Sequence, residues 1–257
     1  MTIDRVKGRL LKIDIDIISW KMALRKLLVM CEDRSSKIIC ICNVHMLILS
    51  ENNLILRDTL LNSDMVLPDG APIAWAMRRL GYYSQLRING PDFMLHSLSI
   101  AEKHHKSVFF YGGTPDNLKK LLHIFSKNYP RLNIVGSISP PFRDLTQDED
   151  ESYIHLINES NADIIFVGLG CPKQEIWMHN HRNKINSIMI GVGAAFDFHS
   201  GSIKRAPLWI RKYGLEWLHR LSIDPGRLWR RYFFTNSQFL LKVAIPLLFF
   251  KIRNLFF

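Results

Sequence analysis

The 257-residue chain is poor in cysteine and lacks several motifs that would define its chemistry at once. Its four cysteines are irregularly spaced, and no Cys-x-x-Cys pair exists to build a zinc site. The dinucleotide fingerprint GxGxxG, the P-loop GxxxxGK[ST], the hydrolase elbow GxSxG and the histidine pairs HExxH and HxxxH are also absent. These absences disfavour an NAD enzyme, a P-loop NTPase, a serine hydrolase and a histidine-based metal site. No apolar signal core precedes Lys12, so we expect a reducing, cytoplasmic compartment.

Acidic residues are scarce at the C-terminal end. The whole chain carries a net charge of +11, and residues 203–257 contribute eleven Lys/Arg against two Asp/Glu. Aromatic residues such as Trp209, Trp217 and Trp229 alternate with these cations. A basic segment of this kind predicts an anionic partner, either acidic lipid, phosphate or nucleic acid.

Long uninterrupted apolar runs are also missing. The longest C-terminal run, residues 239–250, has twelve residues and contains Lys242 and Pro246. A spanning helix needs about 20 apolar residues, so this run is too short to cross a bilayer. We expect the tail to lie on an anionic membrane surface, and the alternative is that its aromatics only dock it on the core.

Six short apolar runs, each followed by a turn and a helical pattern, dominate the first four-fifths of the chain. Buried strands alternating with helices predict a parallel sheet with helices on both faces, an α/β fold that is Rossmann-like in the broad sense. We expect a core over residues 1–202 and a basic helical appendage over residues 203–257. The runs occupy residues 38–42, 65–67, 107–111, 132–135, 163–167 and 187–190.

Asp69 is the candidate catalytic base. It follows the second apolar run, after Pro68 and before Gly70, where an open α/β sheet places working groups at the end of a strand. Asp is also favoured in turns and at helix N-termini by its local hydrogen bonds. Both interpretations of Asp69 remain open from this stretch alone.

Glycines follow most of the other predicted strands, notably Gly112 and Gly113. Such glycines let backbone N–H groups approach an anion, which predicts a nucleotide or phosphate ligand, although each one also fits a simple tight turn. In the helix start after Pro172, Gln174 is a candidate sugar or uracil contact, and Glu175 suits the helix dipole.

A set of short motifs in this order resembles the WecG/TagA/CpsF family of bacterial glycosyltransferases over nearly the full length. The most specific are Pro-Lys-Gln-Glu, Arg-Ala-Pro and Leu-Glu-Trp. The matching segments are Asn43, Leu67-Pro-Asp-Gly70, Arg87 with Gly90-x-Asp92, Tyr111-Gly-Gly113, Val167-Gly-Leu-Gly-x-Pro-Lys-Gln-Glu175, Gly191-Val-Gly-x-x-Phe-Asp197, Gly201, Arg205-Ala-Pro207, Leu215-Glu-Trp217, Arg220, Pro225-x-Arg227 and Arg231.

The resemblance implies an inverting sugar transferase of the N-acetylmannosaminyltransferase type. Its donor would be a UDP-sugar and its acceptor a polyprenyl-diphosphate-linked saccharide at the cytoplasmic face of the membrane, in cell-surface polysaccharide synthesis. It implies Asp69 as general base and Asn43, Arg87 and Gln174 as pocket residues. It also implies that Arg220 and Arg227 act in catalysis from the appendage, with Arg230 and Arg231 binding substrate.

One position departs from the family pattern. Many members carry Thr two residues before the asparagine, where this chain has Ile41. A pocket hydroxyl is therefore missing, and contacts made there in other members cannot be carried over.

We expect the transfer to need no metal. The two Asp-x-Asp sequences, at Asp14–Asp16 and Asp148–Asp150, lie in poor contexts for a metal site, while arginines can stabilise the leaving diphosphate. The alternatives are a sugar-nucleotide-binding module without catalysis, a sugar-nucleotide hydrolase, and a nucleic-acid-binding protein that uses the basic tail. We do not expect nucleic acid as a partner, and we allow for a homo-oligomer.

Overall fold

A six-stranded parallel sheet forms the centre of the molecule. The structure, a computed structural model, describes residues 5–249. The sheet has the order β4-β3-β8-β7-β5-β6, and all five pairings are parallel. Its strands are β3 (Lys37–Cys42), β4 (Met65–Pro68), β5 (Ser107–Gly112), β6 (Asn133–Ile138), β7 (Ile164–Gly168) and β8 (Ile188–Gly191). The predicted fold class is therefore confirmed, with all six predicted strands present.

Helices cover both faces of this sheet, because its strands are apolar on both sides. Along β3, for example, Cys40 and Cys42 face one apolar cluster, and Ile39 and Ile41 face the other. Both cysteines are fully buried, and burial raises the pKa of each thiol. The core helices are α1 (Trp20–Met30), α2 (Val44–Leu49), α3 (Leu54–Asn62), α4 (Ala71–Arg79), α5 (Gly90–Lys103), α6 (Pro115–Asn128), α7 (Gln147–Glu159), α8 (Lys173–Asn180) and α9 (Ala195–His199).

An N-terminal hairpin was not predicted. Strands β1 (Lys7–Leu10) and β2 (Ile13–Asp16) pair antiparallel beside β4. Each has only four residues, and the turn places Leu11 at φ 52, a conformation for which Gly or Asn is the usual sequence signal. Without that signal, the hairpin could not be recognised from the pattern.

The appendage is helical and packs on the core through α2. It comprises α10 (Leu208–Lys212), α11 (Glu216–Ile223), α12 (Pro225–Phe239), a π-helical turn (Leu240–Ala244) and α13 (Ile245–Phe249). Phe239, Val243 and Leu247 on its inner side join the cluster that contains α2 and α3. The last residues of the basic tail, including Lys251 and Arg253, lie outside the described residues. The boundary at residue 202 stays a prediction.

The prediction that the C-terminal apolar run is too short to cross a bilayer was wrong. The run belongs to one continuous helix, Pro225–Phe249, whose 25 residues are long and apolar enough to cross a membrane by length and composition. The apolar run forms only the last part of this helix, and the preceding turns add to its length. Length alone therefore does not distinguish a spanning helix from one that lies on a surface.

Candidate functional site

The candidate site lies at the carboxyl edge of the sheet, where the ends of five neighbouring strands lie side by side. Adjacent strands β5 and β7 continue in opposite directions, to β6 and to β8, which makes their carboxyl ends a topological switch point. Ligands of open α/β sheets bind in the crevice at such a point. The residues that follow the five strands are, in spatial order, Asp69, Asn43, Val192-Gly193, Leu169-Gly170 and Gly113.

Asp69 and Arg87 form an ion pair at one end of this edge. Arg87 Nε donates to Asp69 Oδ1 at 3.1 Å, and the side chains are 22% and 18% exposed. The main chain fixes both partners, since Asp69 N donates to Cys42 O at 2.9 Å and Ile88 N donates to Pro68 O at 2.9 Å. Burial raises the pKa of Asp69 above its ordinary value, although Arg87 opposes this effect. A carboxylate that is shielded, more basic than usual and still reachable suits a general base.

The turn interpretation of Asp69 also holds, because its Oδ1 accepts a hydrogen bond from Gly70 N at 2.6 Å. Gly70 has φ 86, a value that L side chains rarely adopt. The local bond and the ion pair use the same oxygen, Oδ1. Oδ2 therefore remains the oxygen that can accept a proton from a substrate.

Asn43 lies beside Asp69, since Cys42 and Pro68 are partners in the register of β3 and β4. Its Oδ1 caps α2 by accepting from Met46 N at 3.1 Å. The structure therefore gives Asn43 a helix-capping role and leaves its Nδ2 for a pocket contact. Ile41, which stands where many family members have Thr, is 4% exposed and belongs to the apolar core.

Gly112 and Gly113 form a tight turn against the neighbouring strand. Gly112 pairs with Gly168 in register and has φ 121, and a β-carbon on it would lie 2.7 Å from Gly168 C and O. Gly113 N donates to Gly168 O at 3.3 Å, and Gly113 O accepts from Ser139 Oγ at 2.7 Å. These glycines are therefore required by close backbone packing at the crevice. A role in phosphate binding stays a prediction.

Gln174 lies under the strand ends. It is 4% exposed, its Oε1 accepts from Gly170 N at 3.2 Å, and its Nε2 donates to Glu175 Oε1 at 2.6 Å. Glu175 is fully buried, and burial raises its pKa to about 7. Gln174 therefore shapes the turn after β7 from below, and contact with a sugar or uracil stays a prediction.

The predicted appendage arginines Arg220 and Arg227 lie close enough to Arg231 for their charges to help lower its pKa. Arg220 lies 5.4 Å from the ring centroid of Phe198, and Arg227 Nε donates to Asp224 Oδ2 at 2.7 Å. Both still act on the core, because they partly offset the rise that burial causes in the pKa of Asp197 on α9. Arg230 is exposed and lies 5.4 Å from the ring of its neighbour Trp229.

Arg231 turns inward instead. Its Nε is buried, and within the described residues it has no hydrogen-bond partner. Burial lowers the pKa of Arg231, and the Cys171 thiol opposes that change. The structure therefore separates a surface cation, Arg230, from a partly buried one, Arg231.

A chain of alternating charges links the appendage to Asp69. Arg87 Nη2 donates to Glu216 Oε2 at 2.7 Å, and Arg205 Nε donates to Glu216 Oε1 at 3.2 Å. Arg205 Nη1 continues to Asp92 Oδ1 at 2.6 Å. Burial alone would raise the pKa of Glu216, but Arg87 and Arg205 hold it below its usual range. The appendage thus contributes a carboxylate, besides its cations, to this edge of the sheet.

Sequence reasoning assigned no role to Glu216, Arg205 or Asp92. A signal was present, because all three lie in motifs that carry the family resemblance, and Glu216 is one of two acidic residues in the basic tail. A carboxylate among so many cations indicates a specific partner for it.

One carboxylate of each Asp-x-Asp sequence already contacts other groups of the protein. Asp16 accepts from Arg5 Nε at 2.6 Å and from Val66 N at 2.6 Å, and Asp150 lies 3.0 Å from His181 Nε2. Both carboxylates serve the packing of secondary structure. The absence of a metal requirement stays a prediction.

Comparison with known proteins gives the chain its family. The model of the glycosyl transferase WecG/TagA/CpsF family matches residues 8–252. The chain belongs to this family. The conclusion agrees with the ordered motifs, nearly all of which lie at the carboxyl edge of the sheet or in the appendage.

Three relatives carry the name N-acetylglucosaminyldiphosphoundecaprenol N-acetyl-beta-D-mannosaminyltransferase. The one from Bacillus subtilis strain 168 is 36% identical over 175 residues, which cover 68% of this chain and 66% of the relative. The one from Bacillus spizizenii is 33% identical over 66% of this chain and 64% of the relative. The one from Staphylococcus aureus strain NCTC 8325 is 36% identical over 64% of this chain and 63% of the relative. The matched part thus spans slightly under two thirds of each relative's length.

Proposed function

We propose that the protein transfers a sugar from a UDP-sugar to a polyprenyl-diphosphate-linked saccharide, with inversion, at the cytoplasmic face of the membrane. The observation that carries the proposal is the position of Asp69, a shielded carboxylate paired with Arg87 at the ligand-binding edge of the sheet. The relatives' printed names support a lipid-linked acceptor and an N-acetylmannosaminyl donor group.

Inverting transfer needs one base, which removes the proton of the acceptor hydroxyl as its oxygen attacks the anomeric carbon. Asp69 Oδ2 takes that proton, while Oδ1 stays bonded to Gly70 N and Arg87. The C–O bond to the UDP diphosphate breaks as the new glycosidic bond forms. Positive charge is then needed on the leaving oxygens.

The appendage supplies that charge without a metal in this proposal. Arg220 and Arg227 lie on the side of the appendage that faces α9, and the Nε atom of the nearby Arg231 is buried. Guanidinium groups match phosphate oxygens in geometry and are favoured in shielded sites. Asn43, Gln174 and the turn at Gly112–Gly113 complete the proposed pocket.

The outer side of the appendage supports membrane contact. Fourteen of the 23 exposed large apolar side chains among the described residues belong to it, including Trp209, Phe233 and Leu241. One side of the long helix Pro225–Phe249 is buried against the core through residues such as Phe239 and Val243, so lipid cannot surround this helix. This favours a helix that lies in the interface over one that crosses the bilayer.

The test is transfer from a panel of UDP-sugars to a short-chain polyprenyl-diphosphate-linked saccharide, in EDTA. We compare the wild type with Asp69→Asn and with Asp58→Asn, a matched change of an exposed carboxylate on α3. Turnover with one donor should fall by about 10²-fold or more in Asp69→Asn, the range for loss of a general base, and should persist in Asp58→Asn.

Three results would contradict parts of the proposal. Tight UDP binding without turnover for any donor would favour a non-catalytic sugar-nucleotide-binding module. Activity that EDTA abolishes and only a divalent ion restores would overturn the metal-independent mechanism. Turnover of the UDP-sugar that does not need the lipid acceptor would indicate a hydrolase.

A further inference from the structure

Glu216 links the appendage to Arg87, the ion-pair partner of the candidate base. It is 7% exposed, opens α11, and bridges Arg87 of the core to Arg205 of the connecting segment through its two oxygens. Arg87 in turn divides its guanidinium between Asp69 and Glu216, using Nε for one and Nη2 for the other. Two carboxylates, one from the core and one from the appendage, therefore share one cation.

The backbone beside Glu216 also requires close contact with the core. Gly214 has φ 74, and a β-carbon on it would overlap Ala71 Cβ. Ala71 is two residues after Asp69 and opens α4. The turn before α11 is thus closely packed on the segment that carries the candidate base, independently of the ion pairs.

We infer that Glu216 is a positioning residue of the transferase: it holds the appendage closed over the active site and keeps Arg87 from pairing fully with Asp69. The inference rests on the proposed function, because it assigns Asp69 the role of base. It adds a carboxylate to the appendage, whose contribution was expected to consist of arginines.

The physical reason is competition for one guanidinium. An arginine that pairs with a single carboxylate through two hydrogen bonds strongly favours the ionised carboxylate and makes it a weaker base. Glu216 occupies the second donor of Arg87, and its negative charge also favours the protonated form of Asp69. Arg205, Asp92 and Arg211 are the other charged groups around Glu216, and Asp92 Oδ1 lies 2.6 Å from Arg205 Nη1 and 3.7 Å from Arg211 Nη1.

The experiment compares the wild type, Glu216→Gln, Gly214→Ala and Glu159→Gln. Glu159 is an exposed glutamate on α7 and serves as the matched control. The first measurement is amide hydrogen exchange of peptides that cover residues 205–223, which needs no turnover. We expect exchange about tenfold faster or more in Glu216→Gln and Gly214→Ala, because a buried charge pair or a close contact is lost, and unchanged exchange in Glu159→Gln.

The second measurement is the pH dependence of kcat/KM. Activity needs ionised Asp69, so it rises with pH through the pKa of that residue. In Glu216→Gln the rise should move to lower pH, because a neighbouring negative charge is gone, and the plateau should fall about tenfold as Arg87 and Asp69 lose their arrangement. A residue with only a structural role would lower the plateau without moving the rise.

Unchanged exchange in Glu216→Gln, or an unchanged position of the rise, would overturn the inference. Failure of the wild type to transfer sugar from any donor would instead overturn the proposed function. The inference that Glu216 closes the appendage would then be decided by the exchange measurement alone.

Discussion

We expect Glu175 to make the free energy of unfolding fall as pH rises toward neutral, the opposite of the effect of an ion-paired carboxylate. Its side chain is fully buried; Oε1 accepts from Gln174 Nε2, and Oε2 has no hydrogen-bond partner within the described residues. Burial raises its pKa from 4.5 to about 7, and the hydrogen bond from Gln174 only partly opposes this. The protonated form therefore predominates in the folded state below neutral pH.

The magnitude follows from linkage. Between pH 4.5 and about 7 the folded protein retains a proton on Glu175 that the unfolded chain releases, so the free energy of unfolding falls as pH rises through this window. At about 1.4 kcal/mol per pH unit, the loss is on the order of 3 kcal/mol, and it levels off above pH 7. Paired carboxylates with lowered pKa values change stability in the opposite direction, and at lower pH.

The perturbation is Glu175→Gln, and the assay is urea unfolding at several pH values between 4.5 and 8. The glutamine keeps an oxygen to accept from Gln174 but cannot ionise, so the difference in stability between variant and wild type should move by roughly 3 kcal/mol in favour of the variant across the window. The variant's absolute stability can be offset by about 1–3 kcal/mol, because its new N–H groups need acceptors. Parallel curves for the two proteins would refute the reasoning, and Glu159→Gln should run parallel to the wild type.

Three further predictions test single contacts. Gly112→Ala should lower the free energy of unfolding by about 1–3 kcal/mol in urea titrations, because its β-carbon meets the Gly168 backbone at a strained φ; a wild-type value would contradict the close packing. Asn43→Ala should lose about 1 kcal/mol in the same assay, whereas Asn43→Asp should keep the cap; equal losses in both would show that capping is not the cause. Phe233→Asp and Leu241→Asp should weaken binding to anionic vesicles in sedimentation without changing the thermal midpoint, since both side chains are exposed; unchanged binding would exclude this face as the membrane contact.

The sheet could be predicted because its strands are buried on both faces and therefore form continuous apolar runs. Ile38–Cys42 and Asp163–Val167 were recognisable in this way without any knowledge of their neighbours. The hairpin at Lys7–Asp16 could not be, because its strands are short and Leu11 gives no turn signal. The length of the C-terminal helix was underestimated from its apolar run. A helix can continue through polar turns, such as the one at Arg230–Arg231, whereas an apolar run ends there.

Individual residues of the candidate site could be proposed because they follow the predicted strands directly. Asp69 and the glycines lie immediately after strands, so the topology rule alone directs them to one edge of the sheet. What a side chain contacts there depends on neighbours that are distant in sequence. Asn43 caps a helix and Gln174 supports a turn from below, and neither contact follows from the residue's own surroundings in the sequence.

The electrostatics of the candidate base depend strongly on such distant neighbours. Arg87 is 18 residues from Asp69 along the chain but 129 residues from Glu216, and all three meet within hydrogen-bond distance. Burial of Asp69 strengthens it as a base, while an unshared arginine beside it would weaken it. Glu216 removes this conflict, because it holds Arg87 in place and accepts a hydrogen bond from Nη2, which is then not available to Asp69. Since that carboxylate belongs to the appendage, the base reaches its full strength only when the appendage is docked, which ties the chemistry of the core to the segment that carries the proposed membrane surface.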